Sequence, residues 1–177
     1  MGKAVVIAVI LAAILGGYGI WYTQTRAYYG AIEGPVTLTL ARGDDLTTLP
    51  ASDVSAIAST SSPLGFRACF AHALDLAQVP TLAEPASDAA PTVAPPWFDC
   101  FDARAVATLL ENGEARAFIA YKNVQYGTDR LVALTADGRG WAWHQLNECG
   151  KKAYDGTPVG EACPDRATFI PLTEGSL

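Results

Sequence analysis

One apolar run near the amino end constrains this chain more than any other feature. Residues Ala4 to Tyr22 read AVVIAVILAAILGGYGIWY, 19 residues without a charge. As a helix they extend about 28 Å at ~1.5 Å per residue, close to the roughly 30 Å hydrocarbon core of a bilayer. Nine of them are Val, Ile or Leu. These favour insertion by roughly 3–5 kcal/mol before the glycines and tyrosines subtract. Tyr18, Trp21 and Tyr22 close the run where an aromatic belt belongs. The expectation is an uncleaved transmembrane anchor over residues 1–22. The rival is a secretory signal. Lys3 gives it a thin basic n-region, and Gly17-Tyr18-Gly19 offers a small-x-small cleavage site, with Thr25-Arg26-Ala27 a poorer one. No A-x-A motif follows, and the apolar run continues past Gly19 into Ile20 and Trp21.

Ala4, Ala8, Ala12 and Gly16 recur every four residues. On a helix they form one smooth stripe, and small residues let a second membrane helix approach closely. That stripe is the expected packing surface for a partner helix.

The anchor also explains the composition. Only 17% of residues are charged, below the roughly 25% of an ordinary soluble domain. Lys3 is the sole charge among the first 22 residues, so the remainder holds 18 acidic and 11 basic side chains, a net of −7. Such a domain repels nucleic acid and anionic lipid surfaces. All four cysteines, Cys69, Cys100, Cys149 and Cys163, lie in it, with no C-x-x-C pair. An even count of this kind suits two disulfides in an oxidising compartment. Flanking charge is nearly balanced between Lys3 and Arg26, so the cysteines decide the expected topology. The amino terminus is cytoplasmic and the domain periplasmic, on a bacterial inner membrane. Three pairings exist, of which Cys69–Cys100 and Cys149–Cys163 are favoured. The second closes a short loop rich in turn residues, including Gly150, Asp155-Gly156, Pro158 and Gly160.

Beyond the anchor, residues 23–34 read as a juxtamembrane connector and residues 35–177 as one globular domain. Val36 to Leu40 alternates with period two, as a half-buried strand does. A weak element is expected at Val54–Ala58, a strand at Pro63–Phe70 and a helical turn at Ala71–Ala77. Pro80 to Pro96 holds five prolines and five alanines without periodicity, which predicts an extended surface loop. Asp102 should cap a helix over Ala103–Glu111, stopped by Asn112-Gly113. A strand follows at 115–123. Arg130–Thr135 and Gly140–Leu146 flank Ala136-Asp137-Gly138-Arg139, a hairpin signal that puts Trp141 and Trp143 on one face and Ala142 and His144 on the other. A last strand is expected at Ala167–Leu172. The sum is an α+β fold with a mainly antiparallel sheet and one or two helices.

Phe66-Arg67-Ala68-Cys69-Phe70, Trp97-Phe98-Asp99-Cys100-Phe101-Asp102, Asp137-Gly138-Arg139-Gly140 before Trp143-His144, and Asn147-Glu148-Cys149-Gly150 together resemble an uncharacterised family of small membrane-anchored proteins from Rhodobacter-type alphaproteobacteria. The resemblance covers most of the chain, including the amino-terminal helix. It implies a compartment, assigns no activity and carries over no catalytic residues.

Cys69-x-x-His72 with Cys100 is a soft-metal set on paper, but disulfide formation consumes the same sulfurs. His144 beside two tryptophans is a base or pH-switch candidate, though such residues are more often surface or interface positions. No G-x-S-x-G, H-E-x-x-H, P-loop or dinucleotide fingerprint occurs. Trp97, Trp141, Trp143 and His144 are the candidate partner-contact residues. The expected function is a non-catalytic, single-pass accessory subunit without a cofactor. Its partners are the bilayer and a larger inner-membrane complex of respiratory or photosynthetic type. The alternative is a membrane-tethered ligand- or metal-binding module for cofactor assembly or sensing.

Overall fold

A computed structural model describes residues 2–172. Helix α1 spans Gly2–Thr25, is apolar and long enough to cross a membrane, and buries none of its residues against the rest of the chain. A signal sequence passes the same length and composition test. After α1 come β1 (Tyr29–Ala31), β2 (Thr39–Arg42), β3 (Asp45–Thr48), β4 (Ala51–Ser59), a 3-10 turn (Pro63–Gly65) and β5 (Arg67–His72). Then follow α2 (Val79–Leu82), α3 (Ala103–Glu111), β6 (Ala115–Gln125), β7 (Thr128–Thr135) and β8 (Arg139–Leu146). Six strands form one antiparallel sheet in the order β1-β4-β5-β8-β7-β6, and β2 with β3 forms a separate hairpin. The fold is α+β.

Both faces of the sheet are covered. On one, Leu38, Leu40, Leu49 and Val79 pack on Phe70, Phe118, Val132 and Leu134. On the other, Phe98, Phe101 and Val106 pack on Ile57, Leu131, Trp141 and Trp143. All eight residues of the interior strand β7 are therefore buried, where one wet face would have left them alternating. Asp102 caps α3 by accepting from the Arg104 and Ala105 N–H groups at 2.9 and 3.2 Å, as its position before an apolar periodic segment demands.

The β7–β8 turn needs its glycine twice over. Gly138 has φ +88°, and a Cβ there would stand 2.7 Å from the carbonyl oxygen of His72, whose own N–H donates to Gly138 at 2.8 Å. We expect Gly138→Ala to cost about 1–3 kcal/mol through a left-handed backbone and a blocked carbonyl, read as a lower urea midpoint with an unchanged denaturant slope.

Several sequence expectations shift. Within the juxtamembrane connector at 23–34, α1 runs on through Thr25 and Tyr29–Ala31 pairs with Ser59, Ala58 and Ile57 of β4. The strand expected at Val36–Leu40 pairs only from Thr39, while Leu38 and Leu40 are both buried as the alternation required. The weak element at 54–58 is the interior of the nine-residue β4, interrupted by a bulge between Ser52 and Ser55 where Asp53 has φ 52°. The helical turn at 71–77 does not form. β5 continues to His72, and the helix begins at Val79, where Pro80 fits a first turn that needs no N–H from it. The strand at 167–172 is also missing. Asp165 holds that segment in a turn, accepting from the Ala167 N–H at 3.0 Å and the Phe169 N–H at 2.9 Å. The proline-alanine segment is no free surface loop, since Ala86, Ala89 and Ala94 lie against the second core.

Candidate functional site

His144 sits on β8 opposite the two tryptophans, and its ring is fully engaged. Nδ1–H donates to the Pro63 carbonyl at 2.6 Å, which leaves Nε2 as the acceptor for Arg130 Nε at 3.1 Å. A second guanidinium nitrogen, Nη2, stands 3.0 Å from the same Nε2. The ring stacks on Phe66 with centroids 4.7 Å apart, and the Arg130 guanidinium lies 3.9 Å from the centre of that phenyl ring. Pro63 and Phe66 bracket the tight 3-10 turn, in which Gly65 packs directly against Ser59.

Burial, then the positive charge of Arg130, lowers the His144 pKa to about 3; the Pro63 carbonyl opposes this and Arg67 adds to it. The imidazole is therefore neutral throughout the physiological range, with one fixed tautomer and a lone pair already taken. It can neither switch charge near neutrality nor accept a substrate proton, because both roles need an available nitrogen. What it does is orient Arg130. Beside the pair lies a cleft of about 130 Å³ whose lining includes Ser59, Ser62, Pro63, Phe66, Arg130 and His144.

A second buried cation, Arg67, escaped the sequence reading. It is only 3% exposed, and burial lowers its pKa to about 10. Its guanidinium donates to the carbonyls of Thr92 at 2.7 Å, Leu64 at 2.7 Å and Val93 at 3.2 Å, and also to Phe66. Those bonds stitch the proline-alanine segment to the start of β5. The one signal was an arginine inside the apolar run FRACF, which the sheet's two-sided burial turns inward.

The four cysteines form two bridges, Cys69–Cys100 with Cα atoms 6.2 Å apart and Cys149–Cys163 at 4.8 Å. The two sulfurs of the candidate set, Cys69 and Cys100, are thus bonded to each other and not available as thiolates. His72 accepts from the Leu74 N–H through Nδ1 at 3.2 Å, while its buried Nε2 has no partner among the described residues. Burial lowers the His72 pKa, against opposing effects from the Arg139 and Thr135 carbonyls and Asp137.

Of the partner-contact candidates, Trp141, Trp143 and His144 are buried at 8%, 0% and 7% exposure. Trp141 and Trp143 belong to the second core, and His144 lines the cleft beside Arg130. Trp97 is half-buried, and its indole N–H donates to the Thr25 carbonyl at the end of α1 at 2.6 Å. The Arg26 guanidinium lies 5.2 Å from the Trp97 ring centre. Ala4, Ala8, Ala12 and Gly16 stay uncovered along α1.

The family model of DUF6446, a family of unknown function, matches residues 36–164. The chain belongs to this family. The DUF6446 match runs from just before β2 to just past Cys163, so it takes in both disulfides, Arg67, Arg130 and His144, and starts after α1 and β1. No curated protein and no solved structure matches the chain.

Proposed function

We propose that this DUF6446 member is a non-catalytic, single-pass accessory subunit of a larger inner-membrane protein complex, with its domain on the periplasmic side. The observation that carries this reading is the junction of helix and domain. An apolar helix of 24 residues buries none of its surface in its own chain, yet its last turn is fastened to the domain by Trp97. A helix used this way serves lipid or another helix, and transmits its position to the domain. Both disulfides suit an oxidising compartment. The stripe Ala4, Ala8, Ala12 and Gly16 supplies the close-packing surface.

Mild-detergent extraction followed by mass spectrometry of co-migrating proteins tests the proposal. The expected result is a reproducible large membrane assembly, and weaker association for the double variant Ala8→Leu/Ala12→Leu. A monodisperse monomer in several mild detergents contradicts it. A second reading, a membrane-tethered ligand-binding module, draws on the cleft beside Arg130 and His144. It expects a small-molecule adduct in native mass spectra that is lost when Phe66 is changed to Ala.

A further inference from the structure

We infer that the recess between the end of α1 and the β4–β5 connection is a binding site for the headgroup of a zwitterionic phospholipid. The inference rests on the proposed reading of α1 as a retained membrane span. Thr23 and Gln24 of the helix, Tyr28 and Tyr29 of the junction, and Ser59, Ser61 and Ser62 beyond β4 enclose about 440 Å³. That volume falls within the roughly 300–1,000 Å³ typical of small-molecule sites.

Depth follows from the chain itself. If Ala4 to Tyr22 fills the hydrocarbon core, Thr23 to Thr25 add about 4.5 Å at ~1.5 Å per residue, which lies inside the headgroup layer of roughly 5–7 Å per leaflet. No slack separates the recess from that level. The N–H groups of Arg26 and Ala27 donate to Tyr22 at 2.8 and 2.9 Å, Trp97 holds Thr25, and the Thr60 N–H donates to Tyr28 at 2.9 Å. The recess is therefore fixed among headgroups, walled on one side by the membrane helix itself.

Its chemistry selects the lipid class. The lining is hydroxyls and one amide with no charged side chain. Ser59 and Ser61 share one hydrogen bond at 3.0 Å, which leaves one of their two hydroxyl protons for an incoming phosphate oxygen. The surrounding domain has a net charge of −7, which repels anionic lipid and favours an ammonium-bearing head.

The test uses the full chain in nanodiscs of equal phosphatidylethanolamine and phosphatidylglycerol, with native mass spectrometry of the released protein. The expected result is one retained phosphatidylethanolamine per chain, in preference to phosphatidylglycerol. Ser61→Trp fills the recess, and Gln24→Ala removes a polar wall. Each should lower retention roughly tenfold, the worth of one or two hydrogen bonds at about 1 kcal/mol each, at an unchanged melting temperature. Adducts that mirror the disc composition and ignore both variants overturn the inference and leave the anchor intact. A chain that fails to co-purify with the discs overturns the anchor reading, and the headgroup site with it.

Discussion

Removing both disulfides is expected to unfold the domain at physiological temperature. Cys69–Cys100 closes a separation of 31 residues and Cys149–Cys163 one of 14. Chain-entropy estimates give about 4 kcal/mol for the first and about 3 kcal/mol for the second. Together they match the ~5–15 kcal/mol that holds a typical domain folded. The first bridge carries further consequences. Cys69 lies on β5 beside the second core, and Cys100 follows the segment that covers that core. Its loss lets Phe98, Phe101 and the tie to α1 through Trp97 detach together. Cys69→Ser/Cys100→Ser should therefore lower the denaturant midpoint more than Cys149→Ser/Cys163→Ser, and also loosen the helix junction. Equal midpoints for wild type and both double variants would contradict this account.

The second large effect is with pH. His144 has an ordinary value of 6.5 when unfolded and about 3 when folded. Below the unfolded value the unfolded chain takes a proton that the native imidazole refuses, because the site is buried and already faces Arg130. Stability is thus complete above pH 6.5 and falls as pH drops toward 3, the direction required when the unfolded state binds more protons. The loss approaches about 1.4 kcal/mol per pH unit, or about 2 kcal/mol between roughly pH 6.5 and 4.5. Burial lowers His72 as well, so it adds to the slope in the same sense. Glu84, Asp137 and Asp155 are held below their ordinary values by hydrogen bonds, and their losses come at lower pH. Urea titrations of the full chain in detergent, followed by tryptophan fluorescence, should show this slope in wild type and a much flatter one in His144→Gln. An equal slope in both would remove His144 from the cause.

Local chemistry made part of this fold legible. The Asp137-Gly138 turn, the Asp102 cap, the shared face of Trp141 and Trp143 and the two cysteine pairs all depend on residues close in sequence or on simple spacing. What stayed hidden depends on the sheet having two covers. Alanines and prolines at 80–96 carry no periodic signal, yet Ala86, Ala89 and Ala94 lie against the core that holds Trp141 and Trp143, in a segment that Arg67 ties down. On the opposite face His144 is buried instead by Pro63, Phe66 and Arg130. Tyr29–Ala31 is too short to read as a strand alone, and it forms because Ser59, Ala58 and Ile57 stand opposite. For the candidate site, the residue types were visible, but the Pro63–His144–Arg130 chain joins positions 81 and 14 residues apart, which no local pattern encodes.

The most direct test of the central claim is the intact mass of the native chain after cell fractionation and alkaline washing of membranes, with thiol alkylation before and after reduction. The account predicts the chain in the washed membranes with its apolar segment retained, no sulfur alkylated before reduction and four afterwards. A soluble chain beginning near Ile20, or four thiols that alkylate without reductant, would contradict it.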